Sequence, residues 1–352
     1  MLGRFRPVRR ASWTVGEFVH RDVADRLAPT GRERAAALPP ADAEAVRPGH
    51  RAGGDLPRPF RPQPAVAAAG NPVVTAADVD DYGDAEFVAD PFLFAADGTW
   101  HLFFEVFNRD RRPTGVIGHA TSDDGRAWSY DRVVLRDAVH LAFPYVFEWA
   151  GDYYMLPDRW DREDPAAIRL FRTDSLPGGW EPASTVVDPD RQLADCVVFR
   201  WDDRWWALLG SDDGRYDLWA YHADDLLADE WTPHPDNPVV SGRPEGARPA
   251  GRPVVGDDGV LVFLQDCAGR YGERVRAYDV ETLTPEAYAD RERPESPVLE
   301  GAGGVVGWNS GRMHHIDPWR TDDGWVCAVD GNVGLGGRLF GPDHWSVGLY
   351  RA

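Results

Sequence analysis

Short apolar runs separated by polar turns recur along most of this chain, and turn pairs such as Asp97-Gly98 join many of them. Runs of four to eight residues of this kind are typical of β-strands. From residue 71 onward they come in groups of four. One segment near the start of each group recurs in five forms, which are Val88-Ala-Asp-Pro-Phe-Leu-Phe, Leu141-Ala-Phe-Pro-Tyr-Val-Phe, Leu193-Ala-Asp-Cys-Val-Val-Phe, Gly246-Ala-Arg-Pro-Ala-Gly-Arg and His315-Ile-Asp-Pro-Trp-Arg.

The five copies are regularly spaced. Their equivalent residues are Asp90, Phe143, Asp195, Arg248 and Asp317, which lie 53, 52, 53 and 69 residues apart. A period near 50 residues with several strands per unit is typical of a β-propeller, in which each repeat forms one blade. The pattern therefore predicts an all-β fold, a five-bladed β-propeller.

The last unit lacks a fourth strand, because the chain reaches residue 352 just after the predicted third strand, Val347–Arg351. Asn71-Pro-Val-Val-Thr, ahead of the first unit, matches the fourth-strand segments Asn237-Pro-Val-Val-Ser and Ser296-Pro-Val-Leu-Glu. We expect this N-terminal strand to complete the last blade, since an unpaired edge would otherwise stay open. The propeller domain is predicted over residues 71–352.

Residues 1–70 differ from the rest of the chain. They are rich in Ala, Pro and Arg, with 12 Arg against 7 acidic residues, and residues 20–69 show no strand alternation. Such a composition favours irregular structure over a packed core. The sequence predicts a weakly ordered, largely irregular N-terminal arm over this range.

The charge balance narrows the range of partners. The chain holds 58 acidic residues against 38 basic ones, all of them Arg, for a formal net charge of −20. Nucleic acid is disfavoured as a partner, because binding phosphates requires a basic surface. A Lys-free, Asp-rich surface resembles those of halophilic proteins, in which salt screens the charge. We therefore expect an acidic protein that needs high salt to remain folded.

The cellular location of the protein is predicted from its apolar runs, its N-terminus and its cysteines. No run of 18 apolar residues occurs, so no membrane span is expected. The basic N-terminus precedes no apolar stretch, so no secretory leader is expected either. Cys196, Cys267 and Cys327 show no metal-binding spacing and are interpreted as buried thiols of a cytoplasmic protein.

The repeat also predicts where the chemistry lies. The first strand of each propeller blade lines the central channel and the second runs antiparallel to it, so the start of one and the end of the other share a face. This places two sets of residues at one channel mouth: Asp90, Phe143, Asp195, Arg248 and Asp317 from first strands, and Glu105, Asp158 and Asp266 from second strands. Crowded carboxylates raise one another's pKa, which suits acid–base chemistry.

Each candidate also has a structural interpretation. An Asp before Pro often forms a turn by bonding to nearby backbone, which applies to Asp90 and Asp317. Arg248 either neutralises the ring of acids or binds a carboxylate or phosphate of a substrate. Glu105 is equally consistent with a solvated strand edge.

The aromatic and histidine candidates concern sugar binding. Trp308 lies in a predicted loop, where its ring is available to stack on a sugar. His314 and His315 could bind a metal or a sugar, or could be structural. Strand alternation places His315 on the same face as Asp317, so His315 is the predicted substrate-binding residue.

The sequence resembles a known family at these segments. Phe87-Val-Ala-Asp-Pro-Phe and Trp100-His-Leu-Phe-Phe-Glu-Val-Phe-Asn resemble the N-terminal propeller domain of glucosamine inositolphosphorylceramide transferases, as do Phe143-Pro-Tyr-Val-Phe-Glu-Trp and Met313-His-His-Ile-Asp-Pro. The resemblance covers about residues 71–352 and implies a propeller that handles glycans. In plant members a separate glycosyltransferase domain follows. We expect no such domain here, so transferase activity is not inferred.

A second resemblance concerns catalysis. Ala89-Asp-Pro-Phe is similar to the first-blade motif of glycoside hydrolase families 43 and 32, which implies that Asp90 is a general base or nucleophile. Asp195 or Glu105 would be the second carboxyl group. Those families have a further acid in the second blade, where this chain has Phe143. Some related hydrolases hold calcium near a channel histidine, so calcium in the central channel is one expectation.

These observations predict a carbohydrate-active propeller, glycosidase-like, acting on a glycan or glycoconjugate at the channel mouth. The alternative is a non-catalytic carbohydrate-recognition protein in glycan or glycolipid metabolism, which the loss of the second-blade acid favours. A protein-interaction platform ranks third, because it would have an apolar mouth rather than an acidic one.

Overall fold

The predicted β-propeller is confirmed in a computed structural model. The strands of its described residues form five sheets, arranged as the blades of a ring. A short 3₁₀ helix, Ala76–Asp78, precedes the first blade. No helix of this part of the chain is long and apolar enough to cross a membrane. The structure describes residues 50–51, 54–64, 70–161, 166–305, 307–322, 324–334 and 344–352.

Two short strands precede the blades and join the last two of them. They are β1 (His50–Arg51) and β2 (Gln63–Pro64). Blade 1 consists of β3 (Phe87–Ala96), β4 (Thr99–Phe107), β5 (Gly115–Ser122) and β6 (Ser129–Leu135). Blade 2 consists of β7 (His140–Trp149), β8 (Asp152–Trp160), β9 (Ile168–Thr173) and β10 (Glu181–Val187). Blade 3 consists of β11 (Leu193–Trp201), β12 (Arg204–Ser211), β13 (Leu218–Ala223) and β14 (Thr232–Pro233).

Blades 4 and 5 each include one of the N-terminal strands. Blade 4 consists of β1 with β15 (Val254–Val255), β16 (Val260–Asp266), β17 (Arg274–Thr284), β18 (Ala287–Glu292) and β19 (Leu299–Glu300). Blade 5 consists of β20 (Ile316–Thr321), β21 (Gly324–Asn332), β22 (Trp345–Arg351) and β2. Within the blades the strands are antiparallel, except that β1 runs parallel to β15.

The N-terminal part of the propeller closes the ring. The backbone N–H of Val73 donates to the carbonyl of Val347 at 2.8 Å, and Val74 pairs with Val347. The side chain of Asn71 bonds both backbone groups of Leu349, each at 2.9 Å. The predicted closure of the last blade by this segment is confirmed.

Part of the predicted arm also packs against the propeller. Leu56 and Phe60 are buried, and the Phe60 ring lies 5.2 Å from that of Phe263 in blade 4 and 6.0 Å from that of Trp325 in blade 5. Burial of these apolar side chains stabilises the contact between the two blades. Residues 1–49 lie outside the described part, and the domain boundary at residue 70 stays a prediction.

The repeated segment has an unusual backbone in the first three blades. The pairing of first and second strands shifts register at Asp90, Phe143 and Asp195, whose φ angles are 52°, 47° and 58°. Such β-bulges re-aim side chains, and the left-handed backbone suits Asp better than Phe. In blade 5, by contrast, Asp317 pairs with Ala328 without a register shift. The five copies therefore do not present their side chains in the same way.

Candidate active site at the channel mouth

Asp90 lies where blade 1 meets blade 5. Its carboxyl Oδ1 is 3.7 Å from Nε2 of His314 and 3.8 Å from Nδ1 of His315. Burial raises the pKa of Asp90 well above its usual range, and the charges of Glu105 and Asp195 raise it further, whereas His314 lowers it. The bulge has therefore placed a carboxyl group that favours the protonated state among residues from three blades.

Asp330, at the end of β21, holds the neighbouring histidines in place. It accepts the backbone N–H groups of His314 and His315 at 3.0 and 3.1 Å and that of Asp90 at 3.3 Å. Its Oδ2 is also 2.7 Å from Nδ1 of His314. Although Asp330 is fully buried, the imidazole and these N–H groups hold its pKa below the usual range. Asp330 is thus an anion at the edge of the site.

Glu105, at the end of β4, pairs with a histidine from blade 2. Its Oε1 is 3.2 Å from Nε2 of His140, and the other ring nitrogen of His140 lies 3.0 Å from the Thr114 hydroxyl. The hydrogen bond and charge of Glu105 outweigh burial and raise the pKa of His140. The pair of Glu105 and His140 therefore connects blades 1 and 2 at the mouth, and Glu105 is the member that the sequence predicted.

Asp158, at the end of β8, is a buried carboxyl group with one oxygen, Oδ1, that has no hydrogen-bond partner among the described residues. Burial raises its pKa to about 7, with a further contribution from the charge of Asp195, whereas Arg248 lowers it. Near neutral pH this carboxyl group can therefore either give or take a proton.

Asp195 and Arg248 form the third part of the mouth. The Arg248 guanidinium binds the Asp195 carboxylate through Nε and Asp212 through Nη1, and Gln265 donates to the same Asp195 oxygen at 2.9 Å. Of its two predicted roles, the contacts support neutralisation of the acids. A cavity of about 170 Å³ opens beside this group. Its lining includes Ser211, Asp212, Tyr216, Arg248, Gln265 and Tyr271.

Asp317 does not join this mouth, although it occupies the equivalent position of the repeat. It is fully buried and pairs with the equally buried Arg252, with Oδ1 at 2.7 Å from Nε. It also accepts the backbone N–H of Leu93 at 2.6 Å, three residues further along β3 than Asp90. The regular pairing of β20 explains this position, which is deeper in the channel than we expected.

His315 and Phe143 lie together beneath the mouth. Both are fully buried, with ring centroids 5.3 Å apart, and Phe92 lies 4.6 Å from the His315 ring. Burial lowers the pKa of His315 to about 3, so its ring is neutral. The structure assigns these two predicted substrate-binding residues to an aromatic layer, and His314 rather than His315 lies beside Asp90 and Asp330.

The remaining two predicted residues have partners elsewhere. Asp266 bonds to Nε of Arg276 at 2.8 Å on the neighbouring strand β17. Trp308 is half-buried and packs edge-on against Tyr350 in blade 5, with centroids 6.5 Å apart. A Cβ at Gly348 would lie 2.4 Å from the Trp308 ring, so the glycine makes room for it. These contacts show packing for both residues; their roles in substrate binding stay predictions.

The expected calcium ion can be tested against the donors present. Asp90, His314 and Asp330 form the one group of described residues with ligand atoms within 4.8 Å of one another. Calcium takes six to eight oxygen ligands. This group offers an imidazole in place of oxygen, and both Asp330 oxygens already contact His314 or backbone N–H groups. The group does not fit calcium.

Sequence reasoning missed three partners of the site. His140 begins β7 immediately before the repeated segment, Gln265 ends β16, and His314 precedes the residue that alternation favoured. The first two lie at strand ends that face the mouth, so applying the strand-end rule to every polar residue would have found them. His314 could not be found in this way because it lies before β20 begins.

Solved structures with low sequence identity share this fold. A GH62 α-L-arabinofuranosidase catalytic domain from Coprinopsis cinerea has a TM-score of 0.62 at 13% identity and covers 84% of this chain and 98% of its own. A putative glycoside hydrolase from Parabacteroides distasonis has a TM-score of 0.60 at 13% identity and covers 85% of this chain and 95% of its own. The β-1,2-mannobiose phosphorylase from Listeria innocua has a TM-score of 0.58 at 14% identity and covers 80% of this chain and 94% of its own.

Sequence comparison identifies nearer relatives. The family model described as glucosamine inositolphosphorylceramide transferase 1, N-terminal, matches residues 60–332. The transferase 1 proteins of Oryza sativa subsp. japonica and Arabidopsis thaliana are each 34% identical, over 74% and 77% of this chain. The chain spans about a third of their length, since 35% of each is covered. It belongs to the family of the glucosamine inositolphosphorylceramide transferase 1 N-terminal domain.

Proposed function

We propose that the channel mouth binds a glycan or glycoconjugate and acts on it as a glycosidase-like enzyme, with Asp90 and a second carboxyl group as the reacting pair. The observation that carries this proposal is the contrast among the buried carboxyl groups. Burial raises the pKa of Asp90 and of Asp158, whereas His314 and backbone N–H groups lower that of Asp330. Environments that push carboxyl pKa values apart are typical of acid–base sites.

The surroundings of the cavity support a sugar as the ligand. Tyr216 and Tyr271 line it and are 40% and 48% exposed. Because the Arg248 guanidinium lies over the Tyr271 ring, 5.4 Å from its centroid, Tyr216 is the better candidate for stacking on a sugar. Polar groups of Asp212, Arg248 and Gln265 lie beside them and can bond hydroxyl groups. Aromatic faces with a few convergent polar groups are the usual arrangement of small-molecule sites.

The relatives support the same class of ligand. The name of the family refers to a glucosamine inositolphosphorylceramide, which is a glycolipid. The names of structures with this fold refer to glycoside hydrolases and to a mannobiose phosphorylase. A glycan or glycoconjugate is the ligand class that all these names share.

The mechanism assigns a role to each carboxyl group. Asp90, whose pKa burial raises well above the usual range, donates its proton to the oxygen of the leaving group, which is the role of the acid and not the base or nucleophile role that the resemblance implies. Asp195 supplies the second carboxylate, because Arg248 and Gln265 hold its Oδ2 in place and Arg248 balances its charge. Glu105 is the alternative second group and is held by His140. Splitting acid and base between two carboxyl groups is the general scheme of glycoside cleavage.

A glycan array followed by product analysis on each bound glycan tests this function. We expect at least one glycan to bind and to be cleaved, and Asp90→Asn to abolish cleavage while binding persists. Asn retains the left-handed backbone that Asp90 adopts. Asp97→Asn is the matched control, because Asp97 also has a left-handed φ of 49° but lies exposed in the turn between β3 and β4.

The non-catalytic alternative rests on Phe143, which fills the second-blade position with an apolar side chain. Under this alternative, glycans bind, no product forms, and Asp90→Asn binds as the wild type does. Absence of binding to any glycan would contradict both functions.

A further inference from the structure

His314 is the residue of the mouth whose two ring nitrogens both face carboxyl groups. Nδ1 is 2.7 Å from Oδ2 of Asp330, and Nε2 is 3.7 Å from Oδ1 of Asp90. The ring therefore lies between a carboxylate buried in blade 5 and a carboxyl group at the mouth of blade 1. A histidine in such a position can carry a proton on either nitrogen.

Asp330 is built to remain an anion and to fix this ring. Three backbone N–H groups donate to it, from His314, His315 and Asp90, at 3.0 to 3.3 Å. Since these donors are part of the backbone, they cannot rotate away. Oδ2 of Asp330 lies 2.7 Å from Nδ1 of His314, so the charge of the carboxylate favours a proton on that nitrogen, and Nε2 is the nitrogen on the side of Asp90.

Packing holds the His314 ring still. Its centroid lies 4.2 Å from that of Trp345, with the planes 30° apart, and 5.5 Å from that of Tyr271. A Cβ at Gly272 would lie 2.7 Å from Cβ of His314, so only glycine permits this approach. Gly272 also has a left-handed φ of 58°. The loop between β16 and β17 thus closes over the ring and fixes its orientation.

The neighbouring His315 shows that this arrangement is specific to one of the two histidines. Its ring lies among Phe92 and Phe143, and its Nδ1 is 3.8 Å from Oδ1 of Asp90. Asp330 receives only the backbone N–H of His315. Both rings therefore lie near Asp90, but of the two only the His314 ring also has a nitrogen close to the Asp330 carboxylate.

We propose that His314, oriented by Asp330, delivers the proton that recharges Asp90 after each turnover. The inference rests on the proposed function for Asp90. In the step, one water bridges the 3.7 Å between Nε2 and Oδ1: the Nε2–H bond of the imidazolium breaks as its proton passes to the water, and another proton of that water forms the O–H bond at Oδ1 of the Asp90 carboxylate. The products are a neutral imidazole, whose remaining proton is on Nδ1 toward Asp330, and a neutral carboxylic acid. Solvent then returns a proton to Nε2, so His314 acts through Asp90.

The charges around the ring favour the protonated state that this step requires. Asp330 on β21, Asp90 on β3 and Asp195 on β11 all raise the pKa of His314, and their effect exceeds that of burial. The other titratable groups near the ring are Tyr271, whose ring packs against it, and His315, the next residue along the chain. A buried histidine without such partners would lose its charge, as His315 does.

Proton NMR of the His314 ring as a function of pH tests the proposal on the intact protein, with the resonance assigned by its loss in His314→Gln. We expect the midpoint of wild-type His314 to lie above the ordinary value of about 6.5. Asp330→Asn should lower it by about one unit or more. Asp131→Asn is the matched control, because Asp131 bonds the buried His119 in blade 1 at 3.0 Å.

Asp90→Asn keeps the test decisive if Asp330→Asn does not fold, since the Asp90 side chain faces the mouth. This variant should lower the His314 midpoint, although by less than Asp330→Asn. A wild-type midpoint at or below about 6.5, or the same midpoint in Asp90→Asn, would show that His314 is only a packing contact. These titrations need no substrate, so they remain decisive even if no glycan is cleaved.

A kinetic measurement on a cleaved glycan completes the test. His314→Gln should lower the turnover rate about tenfold or more and change the pH dependence of the rate, while the affinity for the glycan stays within about threefold. An unchanged rate and pH profile would overturn the relay while leaving the proposed function intact. Loss of glycan binding together with the rate would likewise overturn it, because His314 would then shape the site rather than supply a proton.

Discussion

Asp90 and Asp317 occupy equivalent positions of the repeat in blades 1 and 5, yet the protein uses them in different ways. The Asp90 side chain is 10% exposed at the channel mouth and has histidines as its neighbours. The Asp317 side chain is 0% exposed and binds Arg252, whose side chain is also 0% exposed. One is a carboxyl group placed for chemistry, and the other ties blades 1, 4 and 5 together.

The backbone explains the difference. At Asp90 a bulge and a φ of 52° turn the side chain to the mouth, whereas Asp317 lies in a regularly paired strand. The partner then determines the chemistry. Burial raises the pKa of Asp317 to about 6 although the Arg252 guanidinium lowers it, whereas burial raises the pKa of Asp90, which has imidazoles beside it, well above the usual range. Equivalence in a repeat therefore predicts the position of a residue in the blade, and the local backbone determines its role.

The largest effect is expected where blade 5 packs on blade 4 beside the Asp317 pair. A Cβ at Gly251, which has a φ of 143°, would lie 1.7 Å from the carbonyl oxygen of Ile316. Backbone cannot yield as a side chain can, so Gly251→Ala should cost more than about 4 kcal/mol and prevent folding. Circular dichroism of the purified variant measures this. Gly70→Ala, where a Cβ meets nothing within 4 Å, is the control and should fold normally.

The next largest effect is the difference in the free energy of unfolding between variants at Asp317 and at Asp90. Asp317→Asn leaves the charge of Arg252 buried without a counter-ion, so the free energy of unfolding should fall by about 3–5 kcal/mol. Asp90→Asn should change it by less than about 1 kcal/mol, because no such partner is left unpaired. Urea denaturation compares the two variants. Equal losses of stability would contradict the distinction between them.

A double variant shows whether the unpaired charge causes the loss. Combining Arg252→Met with Asp317→Asn removes the buried charge and keeps a side-chain acceptor for the Leu93 N–H group. We expect the double variant to be more stable than Asp317→Asn alone. A double variant that is less stable would show that packing rather than charge accounts for the effect.

At the mouth, by contrast, replacing a buried carboxyl group should raise the free energy of unfolding instead of lowering it. Since the pKa of Asp158 is raised to about 7 in the folded state, its contribution to stability is present at low pH and is lost as the pH rises from about 4 to 7. Asp158→Asn should therefore raise the free energy of unfolding by about 4 kcal/mol at pH 8 and leave it unchanged at pH 4. Denaturation at both pH values measures this. The exposed Asp224→Asn is the control, and a variant less stable than wild type at pH 8 would contradict the prediction.

The smallest effect concerns charges outside both regions. With a formal net charge of −20, repulsion among exposed carboxylates destabilises the fold, and salt screens it. We expect the melting temperature to rise by a few degrees between low and molar KCl, whereas the buried Arg252–Asp317 pair is insensitive to screening. A melting temperature that does not change with KCl would contradict the halophilic interpretation.

The fold was predictable because its signals are local. Alternating runs, turns such as Asp97-Gly98 and a period near 50 residues each specify a blade without knowledge of the others. The match of Asn71-Pro-Val-Val-Thr to fourth-strand segments predicted how the ring closes. The packing of Leu56 and Phe60 was not predictable, because two isolated apolar residues within an Arg- and Pro-rich segment form no periodic pattern.

The site was predictable only in part. Strand ends predicted Glu105, Asp158, Asp195 and Arg248 at one mouth; in the structure Asp195 and Arg248 affect the pKa of Asp158, and Glu105 and Asp195 affect that of Asp90. Alternation favoured His315 over His314, yet His314 precedes the first residue of β20, where alternation does not apply. The side-chain placement there depends on hydrogen bonds to Asp330, which lies 16 residues away and leaves no mark in the local sequence.

The closure of the ring by its own beginning has a consequence for the timing of synthesis. The contacts of Asn71 with Leu349 span 278 residues, so the segment that closes the ring has no partner until almost the whole chain exists. At about 5–20 residues per second, a ribosome needs roughly 15–55 s to bridge that interval. During this time the apolar Val73 and Val74 remain exposed, with their backbone groups unpaired. Blades 1 to 4 can already form as the chain that follows them is synthesised. In the completed molecule this segment is paired with β22, whereas the growing chain carries it unpaired almost to the end.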